Sequence, residues 1–199
     1  MFILERHYEA AILRLRSDDG TNRLTLARVK ALTQAIEGLA PEGRPLIITG
    51  NDKFFSAGAD LNEIAQLHGP AAYNFALQGQ RLMLAVDRFP APVIAAIDGY
   101  CMGGGLDLAL ACDIRIAKPN AIFGHRGAAL GIITGWGGTQ RLPRLIGKAR
   151  ALHMFLAAEN LHAPQALQWG LVSDIADDPV AAALAPLRNI APPRTPPVS

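Results

Sequence analysis

Cysteine and net charge are scarce in this sequence. Among its 199 residues stand two cysteines, Cys101 and Cys112. Two thiols cannot build a disulfide framework or, alone, a zinc cluster, and free thiols fit a cytoplasmic protein. The formal net charge is +2 and charged residues make up 18% of the chain. That balance is too weak to indicate nucleic acid as a partner. Long apolar runs are also missing. The N-terminal one, Met1–Leu4, meets charge at Glu5, so no signal peptide is expected there. Residues 91–112 approach the length of a membrane span, about 20 apolar residues. They contain Asp98, Asp107 and glycines at 99, 103, 104 and 105, so a strand, a glycine turn and a buried helix describe them better. No membrane segment is expected.

Several chemical signatures are missing as well. The five histidines, His7, His68, His125, His153 and His162, show no metal-ligand spacing, so no metal site is expected. Gly103–Gly105 lacks the Gly-x-Gly-x-x-Gly spacing of a dinucleotide fold, and Gly147-Lys148 lacks the earlier glycine of a phosphate loop. No Gly-x-Ser-x-Gly nucleophile elbow occurs.

What is present is apolar sequence, half of all residues, enough to bury one sizeable core. Residues 2–6 and 10–16 read as strands around a turn, the second with period-2 alternation. Thr25 is placed to cap a helix over 26–38, with Leu26, Val29, Ala31, Leu32 and Ile36 as its apolar stripe. Residues 45–49, 93–97 and 113–117 are apolar on both faces and read as fully buried strands. A short extended piece lies at 54–56. Helices are expected at 60–67, 70–88, 106–111, 136–157 (in two pieces divided at Gly147) and 164–169, and a last strand at 171–175. Alternating buried strands and helices argue for the α/β class.

The informative chemistry lies in two glycine turns. In Ile97-Asp-Gly-Tyr-Cys-Met-Gly-Gly-Gly-Leu-Asp107, three glycines join an apolar strand to an apolar helix. A helix start carries unpaired N–H groups and partial positive charge, which suits an anion, bound or developing. Asp107 lies three residues beyond Gly104, on the same helix face. It reads either as a carboxylate for proton transfer or as a charge that stabilises the helix start. The second turn, Phe54-Phe-Ser-Ala-Gly-Ala-Asp60, also leads from an apolar segment into a helix.

Together, Phe55-Ser-Ala-Gly-Ala-Asp-Leu61 and Ala96-Ile-Asp-Gly-Tyr-Cys-Met-Gly-Gly-Gly-Leu-Asp-Leu-Ala109 resemble the enoyl-CoA hydratase/isomerase (crotonase) family. Cys112-Asp113, Phe123-Gly124, Leu130-Gly131, Gly137-Gly-Thr-Gln-Arg-Leu142 and Trp169-Gly-Leu-Val172 continue the resemblance in order, over about residues 5–175. It implies a spiral of ββα units that binds acyl-CoA thioesters. It also implies an oxyanion hole made by the Ala59 and Gly104 N–H groups, with Ala57, Asp60 and Leu61 along the CoA path. Coenzyme A would enter as part of the substrate, with no separate cofactor. The implied reaction is addition of water across an α,β-unsaturated thioester. Isomerisation, decarboxylation, thioester hydrolysis and non-catalytic CoA binding are the alternatives.

Hydratases of the family use two glutamates. The first matches Asp107. The second falls where this chain reads His125-Arg126-Gly127, and glycine cannot transfer a proton. No acid stands in 132–136 either. His125 is therefore either a substitute acid/base or a structural histidine. Arg126 reads as a ligand contact or a surface residue, and Trp136 as a narrowing of the acyl pocket or ordinary core. Tyr100 and Met102 read as core. Family members usually continue into helices that cover the pocket and build trimers. Here residues 179–199, with Pro186, Pro192, Pro193, Pro196 and Pro197, are expected to form a short proline-rich tail after a core of residues 1–178. The expected assembly is a homotrimer or hexamer.

Overall fold

The computed structural model describes residues 2–189; the last four of those prolines lie outside the described residues. β1 (Phe2–Arg6) and β2 (Ala11–Leu15) form an antiparallel hairpin. Thr25 caps α1 (Leu26–Leu39) as its position suggests, its hydroxyl accepting from Arg28 N–H at 3.2 Å. The buried stripe of α1 is Val29, Leu32, Thr33, Ile36 and Leu39. Ala31, expected within it, is exposed. Thr33 takes a buried place because its hydroxyl bonds back to Val29 O at 2.8 Å.

A repeating unit follows. β3 (Leu46–Thr49) leads to β4 (Phe54–Ser56), then to the single-turn α2 (Leu61–Ile64) and the long α3 (Pro70–Asp87). β5 (Val93–Ile97) leads to β6 (Tyr100–Met102) and α4 (Gly104–Ala111). β7 (Ile114–Ala117) leads to β8 (Ile122–Gly124), a looped segment, α5 (Gly138–Ile146) and α6 (Lys148–Ala157). The chain closes with β9 (Leu161–His162), α7 (Ala163–Trp169), β10 (Asp174–Ile175) and α8 (Pro179–Leu184).

In each unit the first strand joins a six-stranded sheet, in the order β1-β2-β3-β5-β7-β10, and the second joins a four-stranded sheet, β4-β6-β8-β9. Strands β2, β3, β5, β7 and β10 run parallel, as do β4, β6 and β8. Each repeat thus advances one strand in both sheets, which is the expected ββα spiral. The small sheet was the less legible part. β6 lies inside a segment expected to be only a turn, and β8 and β9 carry no strand pattern of their own.

The large sheet is apolar on both faces because both are covered. Leu13, Ile48 and Ala95 stand in register toward the helices of the main core. Ile12, Ile47 and Ile94 stand in register toward the opposite face. There Ala183 of α8 and Leu187 pack onto them. The boundary expected at residue 178 therefore does not end the packed structure: Pro179–Leu187 is a helical cover of the sheet. Asp178 starts it, accepting from Val180 and Ala181 N–H at 3.1 and 3.0 Å. α4 is buried at all eight positions, which accounts for the long apolar stretch of sequence. No helix among the described residues is long and apolar enough to cross a membrane.

Candidate active site

The two glycine turns meet. Asn22, buried and with φ of 52°, donates from its side chain to Phe54 O at 2.9 Å and Phe55 O at 3.3 Å. Ser56 Oγ donates to Asn22 O at 2.8 Å and accepts from Gly58 N–H at 3.1 Å. Leu24 N–H donates to Gly58 O at 2.8 Å. These bonds hold the end of β4 and the Gly58 turn against residues 22–24. A methyl group on Gly58 would lie 2.6 Å from Met102 O and 3.0 Å from Gly104 N. One on Gly104 would lie 3.3 Å from Ala59 N. The backbone nitrogens of Ala59 and Gly104 are therefore close neighbours. Gly104 opens α4, so its N–H has no partner inside the helix.

Both residues line a mainly apolar cavity of about 590 Å³. Asp107, 1% exposed, stands in the same wall. Its Oδ2 accepts from the Thr134 hydroxyl. Its Oδ1 lies 3.1 Å from Nε2 of His125, which is 4% exposed. That contact is close but not aligned as a hydrogen bond, and neither atom has a hydrogen-bond partner among the described residues. A side chain at position 138 would close the spot: a Cβ on Gly138 would lie 2.2 Å from Asp107 Oδ1 and 3.0 Å from His125 Nε2. His125 was expected as either structural or catalytic; the structure puts it beside Asp107 in the cavity wall. Thr134 was missed by sequence reasoning, since a lone threonine in Ile-Ile-Thr-Gly carries no motif.

Of the expected path residues, Ala57 and Leu61 line the cavity. Asp60 does not stand among its lining residues. Its carboxylate caps α2, accepting from Asn62 and Glu63 N–H at 2.8 and 3.2 Å, and lies 3.7 Å from Arg23. The orphan donors of a helix start explain that turn away from the cavity. Arg126 is exposed at the wall. Met102, expected in the core, also lines the cavity, and Tyr100 is 40% exposed and packs on Phe54. Among the described residues no group of three His, Cys, Asp or Glu side chains is placed to hold a metal ion. Burial pushes the Cys101 thiol well up and the Cys112 thiol to about 12. Both stay protonated at neutral pH, so neither is a nucleophile.

The family model described as enoyl-CoA hydratase/isomerase matches residues 7–187. The chain belongs to the enoyl-CoA hydratase/isomerase family. It is 40% identical over 177 residues to a crotonyl-CoA hydratase of Syntrophomonas wolfei, covering 87% of this chain and 68% of that protein. It is 41% identical over 175 residues to a 2,3-dehydroadipyl-CoA hydratase of Escherichia coli, with the same two coverages, 87% and 68%. A probable enoyl-CoA hydratase of Bacillus subtilis is 48% identical over 136 residues, 68% of this chain and 53% of that one. The chain thus spans between about half and two thirds of these relatives' length. Among solved structures, an enoyl-CoA hydratase from Bacillus anthracis superposes with a TM-score of 0.89 at 34% identity, over 94% of this chain and 75% of that one. Pseudomonas aeruginosa DspI does so with 0.90 at 38% identity, over 96% and 81%.

Two features mark this member of the enoyl-CoA hydratase/isomerase family. The first is position 127, where the resemblance places the missing glutamate. Gly127 accepts there from Leu130 and Ile132 N–H at 2.8 and 3.0 Å, and a Cβ on it would lie 2.6 Å from Ile132 O. The loop has closed over the space that a side chain would need. The second is Trp136, 3% exposed, wedged between α3 and α4. A Cβ on Gly79 would lie 2.0 Å from its ring and one on Gly104 2.5 Å, and Phe75 packs on it at 5.2 Å. Trp136 is both core and cavity wall.

Proposed function

We propose that this chain acts on acyl-CoA thioesters as an enoyl-CoA hydratase, adding water across the α,β double bond. The observation that carries this reading is the approach of Ala59 N and Gly104 N beside a buried carboxylate in one apolar cavity. In this reading the two N–H groups donate to the thioester oxygen. Electron density moves onto that oxygen when a nucleophile reaches Cβ, so fixed donors stabilise the enolate more than the ground state. Such a donor is worth about 3–4 kcal/mol in the transition state. The thioester itself acidifies the α-carbon, so the step calls for no metal or redox cofactor. Asp107 faces the same cavity and positions or deprotonates the water that adds. Ala57 and Leu61 line the path of the CoA arm.

Two further readings concern compartment and assembly. Both cysteines are free and buried, which supports a reducing, cytoplasmic compartment. Tyr73 and Leu77 on α3 and Leu152 and Leu156 on α6 are exposed, which supports assembly into a homotrimer or hexamer. A monomer mass in solution would refute the assembly.

The experiment is a panel of enoyl-CoA substrates of increasing chain length, with products identified by mass. A 3-hydroxyacyl-CoA product is expected, and Asp107→Asn is expected to lose turnover by about 100-fold or more while still binding acyl-CoA. A panel left unchanged by protein that binds CoA would sink the reading. A shifted double bond in the product would mark an isomerase instead.

A further inference from the structure

We propose that His125 is a catalytic residue, the proton-transfer partner of Asp107 in place of a second carboxylate. This rests on the hydratase reading. Three observations lead to it. First, the loop at Gly127 has no room for a side chain, so position 127 contributes no carboxylate to the site. Second, Asp107 and His125 are the lining side chains with a carboxylate or imidazole to exchange a proton with water; Arg126, the remaining ionisable one, is exposed and offers hydrogen-bond donors only. Third, Asp107 Oδ1 and His125 Nε2 are both buried without a hydrogen-bond partner among the described residues, 3.1 Å apart.

Buried polar atoms left unpaired are costly, and such a pair calls for an occupant. One water oxygen at about 2.8 Å from each atom completes a triangle on that base. Its two O–H groups donate to Asp107 Oδ1 and His125 Nε2, and a lone pair remains free. Thr134, bonded to Asp107 Oδ2, keeps Oδ1 directed at this point. The Phe155 ring packs on the imidazole, centroid to centroid at 5.1 Å. Asp107 sits one helical turn from Gly104, so the water seat and the oxyanion donors serve the two ends of one conjugated thioester.

The step balances. Nε2 takes one proton from the water as its oxygen bonds to Cβ. The π pair of the double bond moves toward the thioester and leaves an enolate oxygen on the Ala59 and Gly104 N–H groups. The enolate then collapses and Cα takes the proton back from the imidazolium. One hydrogen of the water ends on Cα, the other stays on the new hydroxyl, and no oxidant or reductant is consumed. Asp107 holds the retained O–H and offsets the transient imidazolium charge.

The test compares wild type, His125→Gln and His125→Ala on a short enoyl-CoA. Acyl-CoA affinity and exchange of the α-proton of a saturated acyl-CoA in heavy water are measured alongside. Both variants are expected to bind acyl-CoA and to lose kcat by about 100-fold or more, with KM little changed. Free imidazole is expected to restore part of the turnover and the exchange in His125→Ala, which a merely structural role would not allow. Near-wild-type turnover in either variant that binds acyl-CoA overturns the assignment. So does a loss that imidazole leaves unrepaired in a His125→Ala protein that still binds. If one variant fails to bind, the other decides. Wild type that neither hydrates nor exchanges overturns both readings, whereas hydration that survives the loss of His125 overturns this one alone.

Discussion

At the scale of single residues, the site depends on side chains that hold others in place. Thr134 is the clearest case, since its hydroxyl is the partner of Asp107 Oδ2. Hydrogen bonds to charged groups contribute about 1.5–3 kcal/mol. Thr134→Val keeps the shape and removes the donor, so kcat should fall by about 10-fold or more while KM changes little. An unchanged kcat would show that Asp107 is held by packing alone. Away from the site, Asp19 accepts from the Ser17 hydroxyl at 2.7 Å and from Thr21 N–H at 3.1 Å and its hydroxyl. These bonds hold its carboxyl down, from 3.8 to about 2. A lowered carboxylate stabilises the fold above its unfolded value and loses that contribution as pH falls through the folded one. The Tm difference between wild type and Asp19→Asn should therefore be full above pH 3.8 and shrink toward pH 2. A difference that does not change over that window would refute the role.

At the scale of elements, two joints set the site. Arg115 on β7 is 5% exposed and has carbonyls as its partners: Leu171 O and Cys112 O at 2.7 Å, with Ala109 O at 3.5 Å. It gathers the C-terminal end of α4 and the segment after α7 on one guanidinium. Burial lowers its pKa, yet a guanidinium stays charged at any working pH. Arg115→Met leaves those carbonyls unserved and should cost about 1–3 kcal/mol in denaturant unfolding. The second joint is Trp136, lodged where Gly79 of α3 and Gly104 of α4 leave space. Trp136→Ala should enlarge the acyl end of the cavity and shift kcat/KM toward longer enoyl chains. The chain-length panel checks this, and a profile that stays the same would assign the ring to packing alone.

At the scale of the whole molecule, two sheets advance together and one helix closes the outer face. Pro179–Leu187 covers Ile12, Ile47, Ile94 and Ile116 through Ala183 and Leu187. Leu187→Ala should lower stability by about 2 kcal/mol or more, read as a reduced denaturant midpoint. No change would mean that this segment does not contribute to the cooperative fold. Sequence periodicity placed most of the large sheet and most of the helices, because a strand buried on both faces and a helix with an apolar stripe leave patterns of their own. It did not place β6, β8 and β9. These are two or three residues long, and their place in the small sheet comes from partners far away in the chain.

The same division runs through the site. Gly104 and Asp107 stand in a local pattern, a glycine turn entering a helix with an acid one turn later, whereas Ala59 entered only through the family resemblance. The resemblance to a family of like spacing tied the two turns together. Asp60 reads along the CoA path in sequence, but the structure turns it to cap α2, because the nearest unpaired N–H groups are its own helix's. Whether His125 belongs to the chemistry is not a local matter. Its Nε2 meets Asp107 Oδ1 because the segment after β8 and the first turn of α4 meet at one cavity, with Gly138 at the start of α5 beside them. By itself the sequence determined the alternation of strands and helices, the two turns and the first carboxylate. Only tertiary packing decided which side chain stands opposite that carboxylate, because contact across distant segments depends on how the sheets stack, not on spacing along the chain.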